Sequence, residues 1–142
     1  MAVSMERVLR GWICLVAVMA FGSTIQCFVS QSVPGRLYTV QPKYVNPLMS
    51  RLFGVWTLLA AFVRFFGAVH ITCKPIYNLT LVSFIIAMVH FLLEVFVYKT
   101  AAFEIGVITP ILIAGGSVIL MLIGYNYVEF DVPSRPHAKK LQ

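Results

Sequence analysis

Apolar residues run almost unbroken through four windows of the chain, 11–29, 52–71, 77–97 and 105–127, while polar residues collect between the windows and at both ends. A hydrocarbon core about 30 Å thick is crossed by roughly 20 apolar residues in helical form, since an α-helix satisfies its own backbone hydrogen bonds without water. The pattern predicts an all-α membrane protein, a four-transmembrane-helix bundle with both termini cytosolic. It forms a single integral membrane domain over residues 1–142, ending in a basic tail at 128–142. Arg7 and Arg10 precede the first window, and Ala20-Phe21-Gly22 resembles a signal-peptide cleavage site. The apolar run nevertheless continues through Ile25, Phe28 and Val29, past the roughly 7 to 15 residues of a removable segment, so a retained first helix is expected.

The windows are not uniformly apolar. At about 100° per residue, Thr57, Ala60, Ala61, Arg64, Gly67 and Ala68 of the second span share one arc, and Val55, Leu59, Phe62 and Phe66 lie opposite. In the third span Thr80, Ser83, Ala87, His90, Glu94 and Tyr98 form a narrower stripe of roughly 80°. The fourth span places Gly106, Pro110, Ser117 and Gly124 on one side, with Pro110 expected to kink the helix; the first gathers Gly22, Ser23, Gln26 and Ser30 near its far end. Membrane helices associate through close packing and interhelical hydrogen bonds, so these stripes are expected to face inward or toward another protein. Such faces also permit a homo-oligomer.

Composition agrees with the pattern. The chain is 60% hydrophobic and 11% charged, too little polar surface to clothe a soluble globule. Its net charge of +6 is scattered over loops and tails, which reads as topology signals and not as a nucleic-acid surface. Arg7, Arg10, Lys74, Arg135, Lys139 and Lys140 fall on one side of the bilayer, and Arg36, Lys43, Arg51 and Lys99 on the other. The larger set marks the cytosolic side. Lys139 and Lys140 near the end of the chain resemble a dilysine retrieval signal of the endoplasmic reticulum membrane. Asn78-Leu79-Thr80 fits the glycosylation pattern but falls on the cytosolic side, so it is expected to be unmodified. Cys14, Cys27 and Cys73 lack metal-ligand spacing and read as packed, reduced thiols.

Arg64, His90 and Glu94 are the ionisable residues inside the spans, where a charge costs about 2.5 to 3.5 kcal/mol on insertion scales. With a rise of 1.5 Å per residue, Arg64 lies roughly 12 Å from the cytosolic end of its helix, His90 roughly 20 Å and Glu94 roughly 25 Å. A bridge from Arg64 to Glu94 is overstretched. His90, one turn before Glu94, is expected to pair with it, leaving Arg64 to reach cytosolic headgroups or a separate acceptor. No nucleophile elbow, phosphate loop or dinucleotide fingerprint accompanies them, and His70, His90 and His137 sit at different depths. No metal or cofactor is therefore expected.

Leu37-Tyr38 through Arg51-Leu52-Phe53-Gly54-Val55-Trp56-Thr57, and His90-Phe91-Leu92-Leu93-Glu94 through Tyr98-Lys99-Thr100-Ala101, resemble the ergosterol biosynthetic protein 28 family. The resemblance runs from about residue 9 to about residue 127. It implies a non-catalytic endoplasmic reticulum scaffold that gathers the sterol C-4 methyl oxidase, the decarboxylating 3-hydroxysteroid dehydrogenase and the 3-ketosteroid reductase. On that basis Arg64, His90 and Glu94 are candidates for partner binding or for bracing the binding face. The loop 35–51, with Tyr38 and Tyr44, is expected on the lumenal side with its aromatics at the membrane interface. The rival reading is a small isomerase-like membrane enzyme that uses Glu94 and His90 to move protons on a sterol ring.

Overall fold

The computed structural model describes residues 2–132, so the expected retrieval signal at Lys139 and Lys140 lies outside the described residues. Among the described residues four helices are long and apolar enough to cross a membrane: α1 (Ala2–Val29), α3 (Pro47–Val69), α4 (Lys74–Phe96) and α5 (Ile105–Gly124). A short α2 (Ser32–Leu37) and a 3-10 turn (Pro42–Tyr44) fill the connection between α1 and α3. Helix α1 starts well before residue 11, and its first turns are supported by an ion pair of Glu6 with Arg10 at 2.8 Å. Helix α3 likewise starts before residue 52. The Asn46 side chain accepts a hydrogen bond from the Met49 N–H at 2.8 Å, and Pro47 follows in the first helical turn, where no backbone donor is missed. Helix α5 continues through Pro110.

Two antiparallel hairpins make up the bundle, α1 with α3 and α4 with α5, joined by the tight turn from His70 to Cys73. Arg10 donates to the Val69 carbonyl at 2.8 Å, and Thr72 donates to Asp131 at 2.9 Å. These contacts gather the start of α1, the α3–α4 turn and the chain after α5 at one end of the bundle, the termini end. Leu9, Ile13, Ile71, Tyr77 and Met121 fill that end as a solid core. Leu37, Tyr38, Phe91, Ala101 and Val107 form a smaller cluster at the opposite, loop end.

Lipid is as apolar as leucine, so close approach and hydrogen bonds hold the hairpins together. The Thr80 side chain occupies the place of a Cβ at Gly67, bringing α3 against α4. Trp12 donates to the Ser117 hydroxyl at 2.9 Å, Tyr77 to the Met121 carbonyl at 2.6 Å, and the buried Ser50 hydroxyl to the Cys27 carbonyl at 2.8 Å. The α3 face is as the pattern predicts, with Ala61, Arg64, Gly67 and Ala68 buried and Val55, Leu59, Phe62 and Phe66 exposed to the lipid side. Helix α4 differs. Its buried face is Tyr77, Thr80, Phe84, Ala87 and Phe91, turned roughly 60° from the polar stripe, which puts His90 and Glu94 on its flank. Phe84 and Phe91 fill the interior where the small residues of the other helices leave room.

Ser50→Ala is expected to cost about 1 kcal/mol, one buried hydrogen bond, with its two carbonyl neighbours relaxing toward other donors. Thermal unfolding in detergent reads it, and an unchanged midpoint contradicts a bracing role for that hydroxyl.

Candidate functional site

The ionisable residues of the spans separate into two places. His90 and Glu94 come together on α4 as expected, with Nδ1 and Oε1 3.9 Å apart. That is an electrostatic contact and is too long for a hydrogen bond. The other imidazole nitrogen, Nε2, is 2.7 Å from the Tyr38 hydroxyl, which the chain delivers from just after α2. Glu94 also accepts a short hydrogen bond from the Thr100 hydroxyl, and its backbone carbonyl accepts from the Thr100 N–H at 3.0 Å. Two residues past the C-cap Val97 of α4, Lys99 lies in the left-handed region, φ 52°, and Thr100 folds back onto Glu94.

The result is a row, Tyr38–His90–Glu94–Thr100, that ties the α1–α3 connection, α4 and the α4–α5 connection at the loop end. A neutral imidazole with its proton on Nδ1 suits both neighbours, accepting from the phenol and facing the carboxylate. Burial, reinforced by the Glu94 charge, pushes the Tyr38 phenol above its ordinary pKa, so it keeps its proton to donate. Tyr38 is 6% exposed, in contrast to the interface position expected for it, because it packs edge-on against Phe53 at 6.2 Å and hydrogen-bonds His90. Tyr44 does lie exposed. No short-range signal relates residues 38 and 90; sequence reading missed the phenol.

Arg64 stands apart from the row. It is 9% exposed, its Nε has no hydrogen-bond partner among the described residues, and its guanidinium lies 4.3 Å from the centre of the Phe84 ring. Phe84 of the neighbouring helix covers one side of the guanidinium, and a cation over an aromatic face is partly compensated there. Depth accounts for its distance from Glu94. Arg64 is roughly 8 Å from the termini end of α3, whereas Glu94 is roughly 30 Å along α4 from the same end.

Between the hairpins, on the loop side of the solid core, lies a cavity of about 1100 Å³. Met19, Trp56, Ala60, Phe91 and Ala114 are among its walls, and Arg64 and Phe84 are at its inner end. His90, Glu94 and Tyr38 are not part of its lining. The Trp56 and Phe91 rings, each with its centre 5.1 Å from the His90 ring, stand between that row and the cavity. Among the described residues no three of His, Cys, Asp and Glu converge as a metal site.

Fold and site together define a small polytopic membrane protein, two helical hairpins around an apolar cavity with a polar row on one flank. The family model described as "Erg28 like protein" matches residues 9–119. The chain is similar to "Ergosterol biosynthetic protein 28 homolog" of Homo sapiens, 43% identical over 130 residues that cover 91% of this chain and 93% of the relative. It is also similar to "Ergosterol biosynthetic protein 28" of Schizosaccharomyces pombe, 34% identical over 116 residues, 82% of this chain and 85% of the relative. The protein of that name from Arabidopsis thaliana is 36% identical over 104 residues, 73% of this chain and 76% of the relative. No solved structure matches the chain. The chain belongs to the Erg28 family.

Proposed function

We propose that this chain is a non-catalytic scaffold of the endoplasmic reticulum membrane that holds the enzymes of sterol C-4 demethylation together. The three enzymes are the C-4 methyl oxidase, the decarboxylating 3-hydroxysteroid dehydrogenase and the 3-ketosteroid reductase. The names of its relatives, which refer to ergosterol biosynthesis, supply the pathway. The carrying observation is the placement of the polar row: the groups best able to move protons sit on the flank of α4, screened from the cavity by Trp56 and Phe91. A His and a Glu whose side chains are 32% and 18% exposed at that depth suit contact with a partner's transmembrane helix, where a polar group finds a hydrogen-bond partner it lacks in lipid. Tethering raises the local concentration of successive enzymes toward about the millimolar range, which favours the handing on of poorly soluble intermediates. Both termini face the cytosol in this arrangement, and Lys139 and Lys140 serve retrieval.

The Tyr38–His90–Glu94 row also favours a second reading, a sterol-ring enzyme with Glu94 and His90 as proton carriers. Purification separates the two. On the scaffold reading the isolated chain turns over no sterol, and its removal from cells disperses the three enzymes and lets C-4 methylated or carboxylated sterols accumulate. Turnover by the isolated chain, abolished in Glu94→Gln, decides for the enzyme.

A further inference from the structure

The cavity and Arg64 carry an inference that rests on the sterol reading above and deepens it. An arginine only 9% exposed, whose buried Nε finds no hydrogen-bond partner among the described residues, is costly in a bundle whose other buried polar side-chain atoms are hydrogen-bonded. The Phe84 face offsets part of that cost on one side only. Its open side belongs to the wall of the cavity. We propose that this cavity binds a sterol acid, a rigid apolar body carrying one carboxylate, with the carboxylate paired to Arg64.

The volume, about 1100 Å³, is just above the roughly 300 to 1,000 Å³ of small-molecule pockets. Trp56, Phe53 and Phe91 offer flat apolar walls to fused rings. Arg64 is the cation at the inner end, whereas Arg36 and Glu104 line the cavity at its loop end, and a planar guanidinium holds one carboxylate best. Beneath Arg64 the core of Leu9, Ile13, Tyr77 and Met121 is solid, so a headgroup that must continue into water has no path there. That disfavours an anionic phospholipid. Sterol C-4 demethylation passes through a carboxylate before decarboxylation, and a scaffold that holds this acid would keep it beside the next enzyme.

The test is equilibrium binding of a tritiated 3-hydroxysterol-4-carboxylic acid to the full chain in phosphatidylcholine nanodiscs. Saturable binding is expected, with the methyl ester weaker by at least about tenfold, the loss of one charge-assisted pair. Arg64→Gln is expected to lower affinity for the acid to that of the ester and leave the ester unchanged, and Arg64→Lys to restore part of the difference. Equal binding of acid and ester by the wild-type chain overturns the proposal without need of any variant. So does unchanged acid affinity in Arg64→Gln, or displacement by phosphatidic acid at lower concentrations than by the unlabelled acid. Enzyme recovery with the tagged chain is a separate readout. Binding without recovery keeps the site and discards the scaffold; recovery without binding discards the site.

Discussion

The substitution Gly67→Val is expected to lower the thermal midpoint of the purified chain in detergent more than any surface change. A Cβ at Gly67 meets the Oγ1, Cβ and Cγ2 atoms of Thr80 within contact distance, and the Thr80 hydroxyl is itself held to the Ile76 carbonyl at 2.9 Å. Helices α3 and α4 must then separate, and overpacking of this kind costs about 1 to 3 kcal/mol. Separation would also disturb the Arg64–Phe84 stacking between the same two helices. Gly116→Val is the control, because a Cβ there meets nothing within 4 Å. Equal midpoints for the two variants would mean that the α3–α4 contact does not hold the hairpins together.

The second large effect is expected at Glu94. Glu94→Leu removes the acceptor of the Thr100 hydroxyl and the charge facing His90, so the loop-end row loses its centre. Hydrogen bonds to a charged group contribute about 1.5 to 3 kcal/mol, so loss of one at a partner contact weakens association by roughly ten- to a hundredfold. Recovery of the demethylation enzymes with tagged Glu94→Leu is expected to fall accordingly, whereas Ile119→Val, exposed and roughly 20 Å along α5 from its loop-end start, retains wild-type recovery. The thermal midpoint separates the two effects of the substitution. If recovery falls only in step with the midpoint, Glu94 braces the bundle and does not touch a partner.

The four long apolar helices and the inner face of α3 were legible in the sequence because there the chemistry divides cleanly: small and polar residues inside α3, Leu and Phe outside. It misplaced the face of α4 because an apolar residue is at home both in lipid and in the interior, so nothing local marks Phe84 and Phe91 as the buried ones. The depth arithmetic kept Arg64 away from Glu94, but the cover over Arg64 comes from another helix and left no mark in its own segment. The early start of α3 was legible in Asn46-Pro47, a capping residue followed by a first-turn proline. Tyr38 was not. Its partner is 52 residues away, and a tyrosine in a connecting loop carries no sign of whether it turns to the interface or to the interior.

Affinity purification of the tagged full chain from cells in mild detergent, with quantitative mass spectrometry, bears most directly on the scaffold. The account predicts that the oxidase, the dehydrogenase and the reductase are all recovered with the wild-type chain, and that joint neutralisation by Arg64→Gln, His90→Ala and Glu94→Gln strips them away. Full recovery with the triply substituted chain, together with unaltered sterol flux, would contradict it.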